Sequence, residues 1–212
     1  MISRRAIVAL AALAAAPARA EKPDPLARRF GGPFQLTAHD GRRVTDADFR
    51  GRGMLVYFGF SNCADTCPGD LQTISTALDQ LATGELAKLQ PLFVTVDPEH
   101  DTPEAMADYL KAFHPAILGL TGSQAEIAGA AKAYRVHRRL LRIAPEKRSG
   151  GLIHLAHAGQ AKPYRGGQWT IDHGSLIYLM GREGEFLTLF PRGADAGSMA
   201  GVIKGYIGKA RI

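Results

Sequence analysis

Hydrophobic positions along the chain change period several times, and each change marks an element. Residues 34–38 and 43–45 read as two short strands joined by His39, Asp40 and Gly41, where Asp-Gly is a strong hairpin turn. Residues 54–60 are an unbroken apolar run, the pattern of a strand buried on both faces of a sheet. Leu71, Ile74, Leu78 and Leu81 then recur at helical spacing, with Pro68 suited to the first helical position. A second buried strand is predicted over 91–96, where Asp97-Pro98 stops it. Thr102 and Pro103 open a helix that carries Glu104 in its first turn and runs to about residue 113. A short strand over 117–121 and an alanine-rich helix over 123–133 follow. Residues 171–180 and 185–190 read as a hairpin around Gly181 and Gly184, and 196–209 as a closing helix. Between Tyr134 and Trp169 no period is sustained, and the stretch reads as a long basic loop holding His154 and His157.

Strand, helix, strand, helix, antiparallel hairpin and helix make an α/β protein with a mixed central sheet flanked by helices. The order is that of the thioredoxin fold, here with an N-terminal hairpin and a long insertion near 142–168. The 212 residues are 46% hydrophobic and 22% charged, which fits one ordinary globular domain over 33–212 and excludes disordered, collagen-like and polytopic membrane classes.

The first twenty residues stand apart. Arg4 and Arg5 precede an apolar run over 6–16, and small Ala18 and Ala20 flank Arg19, the plan of an export signal cut after Ala20. The run is much shorter than the roughly 20 apolar residues that cross a bilayer. Removal is therefore expected rather than anchoring, although an uncleaved leader would give a membrane-anchored form. The paired arginines leave both the general and the twin-arginine export routes open. Residues 21–32, with Pro23 and Pro25 among charges, read as a flexible arm. The formal charge is +6, but taking Arg4, Arg5 and Arg19 from the 26 basic residues leaves 23 against 20 acidic. So mild a balance argues against a nucleic-acid partner. The expected compartment is the periplasm, an oxidising space, and the expected state a monomer.

Cys63 and Cys67 are the chain's two cysteines, too few for a disulfide-built scaffold or a four-thiolate zinc site. They sit where a buried strand hands over to a helix, in Gly59-Phe60-Ser61-Asn62-Cys63-Ala64-Asp65-Thr66-Cys67-Pro68. A helix start favours negative charge and is expected to lower a thiol's pKa. A bracing disulfide would remove little entropy from so short a loop. Redox sites of the thioredoxin type have two residues between their cysteines, whereas three intervene here, which places the thiols one helical turn apart if the helix extends back to them. Two thiolates favour Cu(I) or zinc, and a third imidazole ligand would suit copper in either oxidation state.

Seven histidines compete for that place. His173 heads an apolar strand, with small Gly174 and Ser175 leaving room for another group; on spacing alone, a strand-end histidine with a hydrogen-bond partner is an equal reading. His154 and His157 have metal-ligand spacing only if their segment is helical. His39, His100, His114 and His137 read as solvated.

These residues resemble the SCO/SenC family, thioredoxin-fold copper chaperones associated with assembly of the dinuclear copper centre of cytochrome c oxidase. The resemblance spans about 34–207. It rests on the cysteine segment, on Val96-Asp97-Pro98-Glu99-His100-Asp101-Thr102-Pro103-Glu104, on Leu118-Gly119-Leu120-Thr121-Gly122, and on Asp172-His173 followed by Tyr178-Leu179. It implies that Cys63, Cys67 and His173 bind one copper ion, as Cu(I) or Cu(II), for delivery to the copper subunit of cytochrome c oxidase or another periplasmic copper protein. Membrane contact would then come only through the partner or an uncleaved leader. The chain departs from the family pattern at Ala64, usually proline, at Gly174, commonly serine or threonine, and in the long stretch over 142–168. The rival function is a periplasmic thiol-disulfide reductase in which Cys63 and Cys67 keep partner cysteines reduced, chemistry that does not need His173. Peroxide reduction on a similar scaffold fits the motifs less well. Asp172 is a weak candidate for orienting His173, because strand alternation points it to the opposite face.

Overall fold

The computed structural model describes residues 29–63, 66–142 and 169–212. The leader, most of the proline-containing arm, Ala64, Asp65, and the stretch with His154 and His157 lie outside the described residues.

Seven strands form one mixed sheet in the order β2-β1-β5-β4-β3-β8-β9. Its centre is parallel: β3 (Gly53–Gly59) pairs with β4 (Leu89–Thr95), and β4 with β5 (Leu118–Thr121). All seven residues of β3 are buried, which is why its sequence is an unbroken apolar run. The predicted hairpin, β1 (Gln35–Ala38) and β2 (Arg43–Thr45), turns through Gly41 at φ +87° and adds to the edge of the sheet beside β5. On the other side, β8 (Ile177–Met180) runs antiparallel to β3, with β9 (Phe186–Phe190) outside it.

The helices start where their caps dictate. Ser123 and Glu126 exchange capping hydrogen bonds at the head of α4 (Gln124–Ala133), and Thr102 caps α3 (Pro103–Leu110) by accepting from the Ala105 amide. Asp195 does the same for α5 (Ala196–Gly208) through the Ser198 amide. The first helix, α1 (Thr66–Asp79), begins two residues before Pro68, so Cys67 lies inside its first turn and Pro68 in its third position. Leu71, Ile74 and Leu78 from α1 and Met199, Ile203 and Ile207 from α5 are buried in the core. A 3-10 turn (Asp46–Phe49) and the four-residue α2 (Thr83–Leu86), too short to show a period, complete these elements.

Two expectations require correction. Residues 171–180 are not one strand: the chain breaks after His173 and resumes at Ile177. The first piece, β7 (Trp169–His173), pairs antiparallel with β6 (Arg138–Arg142), part of the stretch read as loop, and this ribbon is separate from the main sheet. The arm is also fixed at its end. Phe30 packs against the rings of Tyr178 and Phe186 at 5.6 and 4.8 Å, and the Gly31 amide donates to the Ala133 carbonyl.

Candidate functional site

Cys63 and Cys67 sit beyond the C-terminal end of β3, where an open α/β sheet presents its crevice. Gly59 ends the strand beside them. A Cβ there would come within 2.7 Å of the Phe93 ring and 3.0 Å of Cys67 Sγ, so glycine lets the thiol settle against the sheet. Cys67 is buried and Cys63 partly exposed, and no disulfide joins them. The Cys63 sulfur accepts from the Cys67 backbone N–H at 3.5 Å, an interaction that α1's first turn creates.

His173 comes from the end of β7, 106 positions after Cys67, yet its Nε2 lies 3.6 Å from Cys67 Sγ. Its other ring nitrogen, Nδ1, is 3.0 Å from the Gly174 carbonyl. A carbonyl only accepts, so Nδ1 carries a proton, and Nε2 is the ring nitrogen that faces the thiol and is placed to act as a metal donor. The Phe60 ring stands edge-on to the imidazole at 5.8 Å and fixes its plane. Gly174 plays a different part from the one expected: a Cβ there meets His137 Nδ1 at an ordinary 3.6 Å, so no group needs close approach.

Contrary to the expected effect of a helix start, the Cys67 thiol is pushed up, by its hydrogen bond with the Cys63 thiol and by burial. Beneath it, the buried Tyr57 hydroxyl contacts the thiol and donates to Asp70 Oδ2 at 2.9 Å. Asp70 is itself held up by burial. This pair gave no sequence signal beyond a polar residue inside an apolar run and an acid in the helix that follows.

The other histidines divide by structure rather than by solvation. His39 Nδ1 accepts from the Gly119 amide at 2.9 Å and ties the hairpin turn to β5, and the mostly buried His114 accepts from the Ala116 amide of its own loop at 3.1 Å. His100 contacts Asp97 at 3.1 Å. The exposed His137 lies 3.4 Å from Asp172, which Arg139 approaches at 3.7 Å, so Asp172 is engaged away from His173. Among the described residues, no three His, Cys, Asp or Glu side chains stand in a ready-made metal-binding arrangement. Cys67 meets both the His173 imidazole and the Cys63 thiol, and the Cys63 sulfur also accepts from the helix backbone.

A model of the SCO1/SenC family matches residues 22–208. The human mitochondrial SCO1 homolog is 37% identical over 175 residues, covering 82% of this chain and 52% of that protein; the chain thus spans about half the length of this curated relative. Among solved structures, Bradyrhizobium japonicum ScoI with copper bound is similar with a TM-score of 0.67 and 36% identity, over 84% of this chain and 99% of that one. Yeast Sco1 with copper bound gives 0.66 and 34%, over 84% and 88%.

Proposed function

The chain belongs to the SCO1/SenC family, and from that premise we propose that it is an exported copper carrier. Cys63 and Cys67 as thiolates and His173 as neutral imidazole hold one copper ion, which passes to a partner's ligands during assembly of the dinuclear copper centre of cytochrome c oxidase. The leader is removed after Ala20 and the mature protein works as a periplasmic monomer.

The observation that carries this reading is the 3.6 Å approach of His173 Nε2, at the end of β7, to Cys67 Sγ in the first turn of α1. Soft thiolates and an imidazole lone pair are a donor set for copper, and solved relatives with copper bound support the same cargo. Loading has two requirements here. The raised Cys67 thiol must lose its proton, and so must Cys63, whose sulfur can keep its hydrogen bond from the Cys67 amide as a thiolate. Transfer is then ligand exchange: the partly exposed Cys63 is the donor an incoming ligand reaches first. Mixing the copper-loaded protein with a copper-free dinuclear copper domain tests delivery. Metal appearing in the acceptor supports it, and metal remaining on the carrier under excess acceptor counts against it.

One observation favours a second activity with the same residues. An exposed thiol beside a buried one is the layout of an attacking and a resolving cysteine. Cys63 thiolate would attack a partner disulfide and release one partner thiol; Cys67 would then displace the second, leaving the carrier oxidised. The contact with His173 serves no step of that exchange, which is why copper is the primary reading.

A further inference from the structure

We propose that the segment 95–101 is a shared anchor that sets the thiols and the imidazole relative to one another, with Asp101 and Arg138 as its positioning residues. The inference rests on the copper reading and adds residues to that site. The two halves of the site arrive on different parts of the fold. The cysteines follow β3 in the main sheet, whereas His173 ends a ribbon that pairs with no strand of that sheet. Both halves are gripped at the end of β4.

On the thiol side, Thr95 is the register partner of Gly59, and the Val96 amide donates to the Gly59 carbonyl at 2.7 Å. Asp101 is fully buried and accepts three different donors: Thr95 Oγ1 at 2.5 Å, the Ser61 amide at 3.1 Å and Ser61 Oγ. Ser61 lies two positions before Cys63, whose amide donates back to the Phe60 carbonyl at 3.3 Å. A carboxylate is acceptor-only and satisfies all three donors at once, whereas an amide would turn an N–H toward one of them.

On the imidazole side, the carbonyl of Val96, midway between Thr95 and Asp97, accepts from Arg138 Nε. Arg138 is the register partner of His173 in the ribbon. Among the described residues, apolar packing near the site also comes from buried Ile171 and Val136 and from the Phe60 ring. Arg138 thus supplies a directional link between the histidine's ribbon and the strand end that Asp101 fastens to the cysteine loop.

The two links predict different couplings, measurable by competition titration of copper onto the reduced full-length protein and by its thiolate-to-copper absorption. Arg138→Ala should weaken copper binding by about 10- to 100-fold, the usual cost of losing an outer support of a metal ligand. In a His173→Ala background the same change should have no further effect, because it acts through the imidazole. Asp101→Asn should weaken binding in both backgrounds, because it acts through the thiols. Ser61→Ala, a milder change, should follow it in the same direction, and it decides the thiol arm if Asp101→Asn does not fold. Arg138→Ala weakening both backgrounds equally, or neither, overturns the anchor, as does Ser61→Ala with parental affinity and spectrum. A parent protein that takes up no copper instead overturns the copper reading, and the anchor falls with it.

Discussion

The thiol side and the imidazole side of the site are built by opposite means. Cys67 is sealed into the main core: it lies in the first turn of α1, Gly59 makes room for it, and Tyr57 supports it from below. His173 is held by a two-stranded ribbon at the periphery, through one aromatic contact, its own Gly174 carbonyl, and its neighbour strand. A site divided in this way combines fixed donors with a donor whose attachment is local. It follows that changes on the two sides should separate into loss of binding and change of binding.

The largest effect is expected on the thiol side. Cys67→Ser or Cys63→Ser should abolish tight copper uptake, read as loss of the one bound equivalent in a titration of reduced protein. An equivalent retained by either variant would break the contrast between the two sides. His173→Ala comes next. It should leave copper bound through the thiols but weaken it and shift its absorption, because a two-coordinate thiolate site suits Cu(I) better than Cu(II).

Acidity sharpens the comparison further. Copper must displace the proton of the raised Cys67 thiol, so affinity should climb with pH until that thiol ionises unaided; a pH-independent affinity would contradict the burial seen here. Asp101 is likewise held above the ordinary carboxylate range, chiefly by burial. A carboxyl raised on folding stabilises the fold fully below its unfolded pKa of about 3.8 and loses that contribution as pH rises through its folded value. The parent should therefore lose thermal stability relative to Asp101→Asn as pH rises from that value, visible in metal-free melting curves. The smallest effect is expected at Asp172. It is engaged with His137 and Arg139, so Asp172→Asn should leave the copper absorption unchanged.

The thiol side was legible in the sequence because burial and period spell it out. An apolar run makes β3, leucines and an isoleucine at helical spacing make α1, and two cysteines fall at their junction. The imidazole side was not, for two reasons. The ribbon's first strand is arginine-rich, Arg138–Arg142, and reads as a solvated basic stretch, although Arg138 Nε donates to the Val96 carbonyl just past the end of β4. The second strand merges in hydrophobicity with β8, so that 171–180 looks continuous; Gly174-Ser175 is the available signal of the break, but two small residues there read equally as room beside the histidine. Spacing left His173 level with a simple strand-end residue, and the contact with Cys67 became visible only when the two parts were folded together. Asp101 stood within a recognised motif, but its three donors come from Thr95 and from a loop forty residues earlier, which no local pattern reveals.

The central claim is that both sides grip the same ion. The most direct test is the stoichiometry and absorption of copper on the reduced parent beside those of His173→Ala. One tightly bound equivalent in the parent, with a weaker affinity and an altered thiolate-to-copper band in the variant, is the predicted result. Less than one equivalent in the parent, or a variant whose affinity and spectrum match it, would contradict the account.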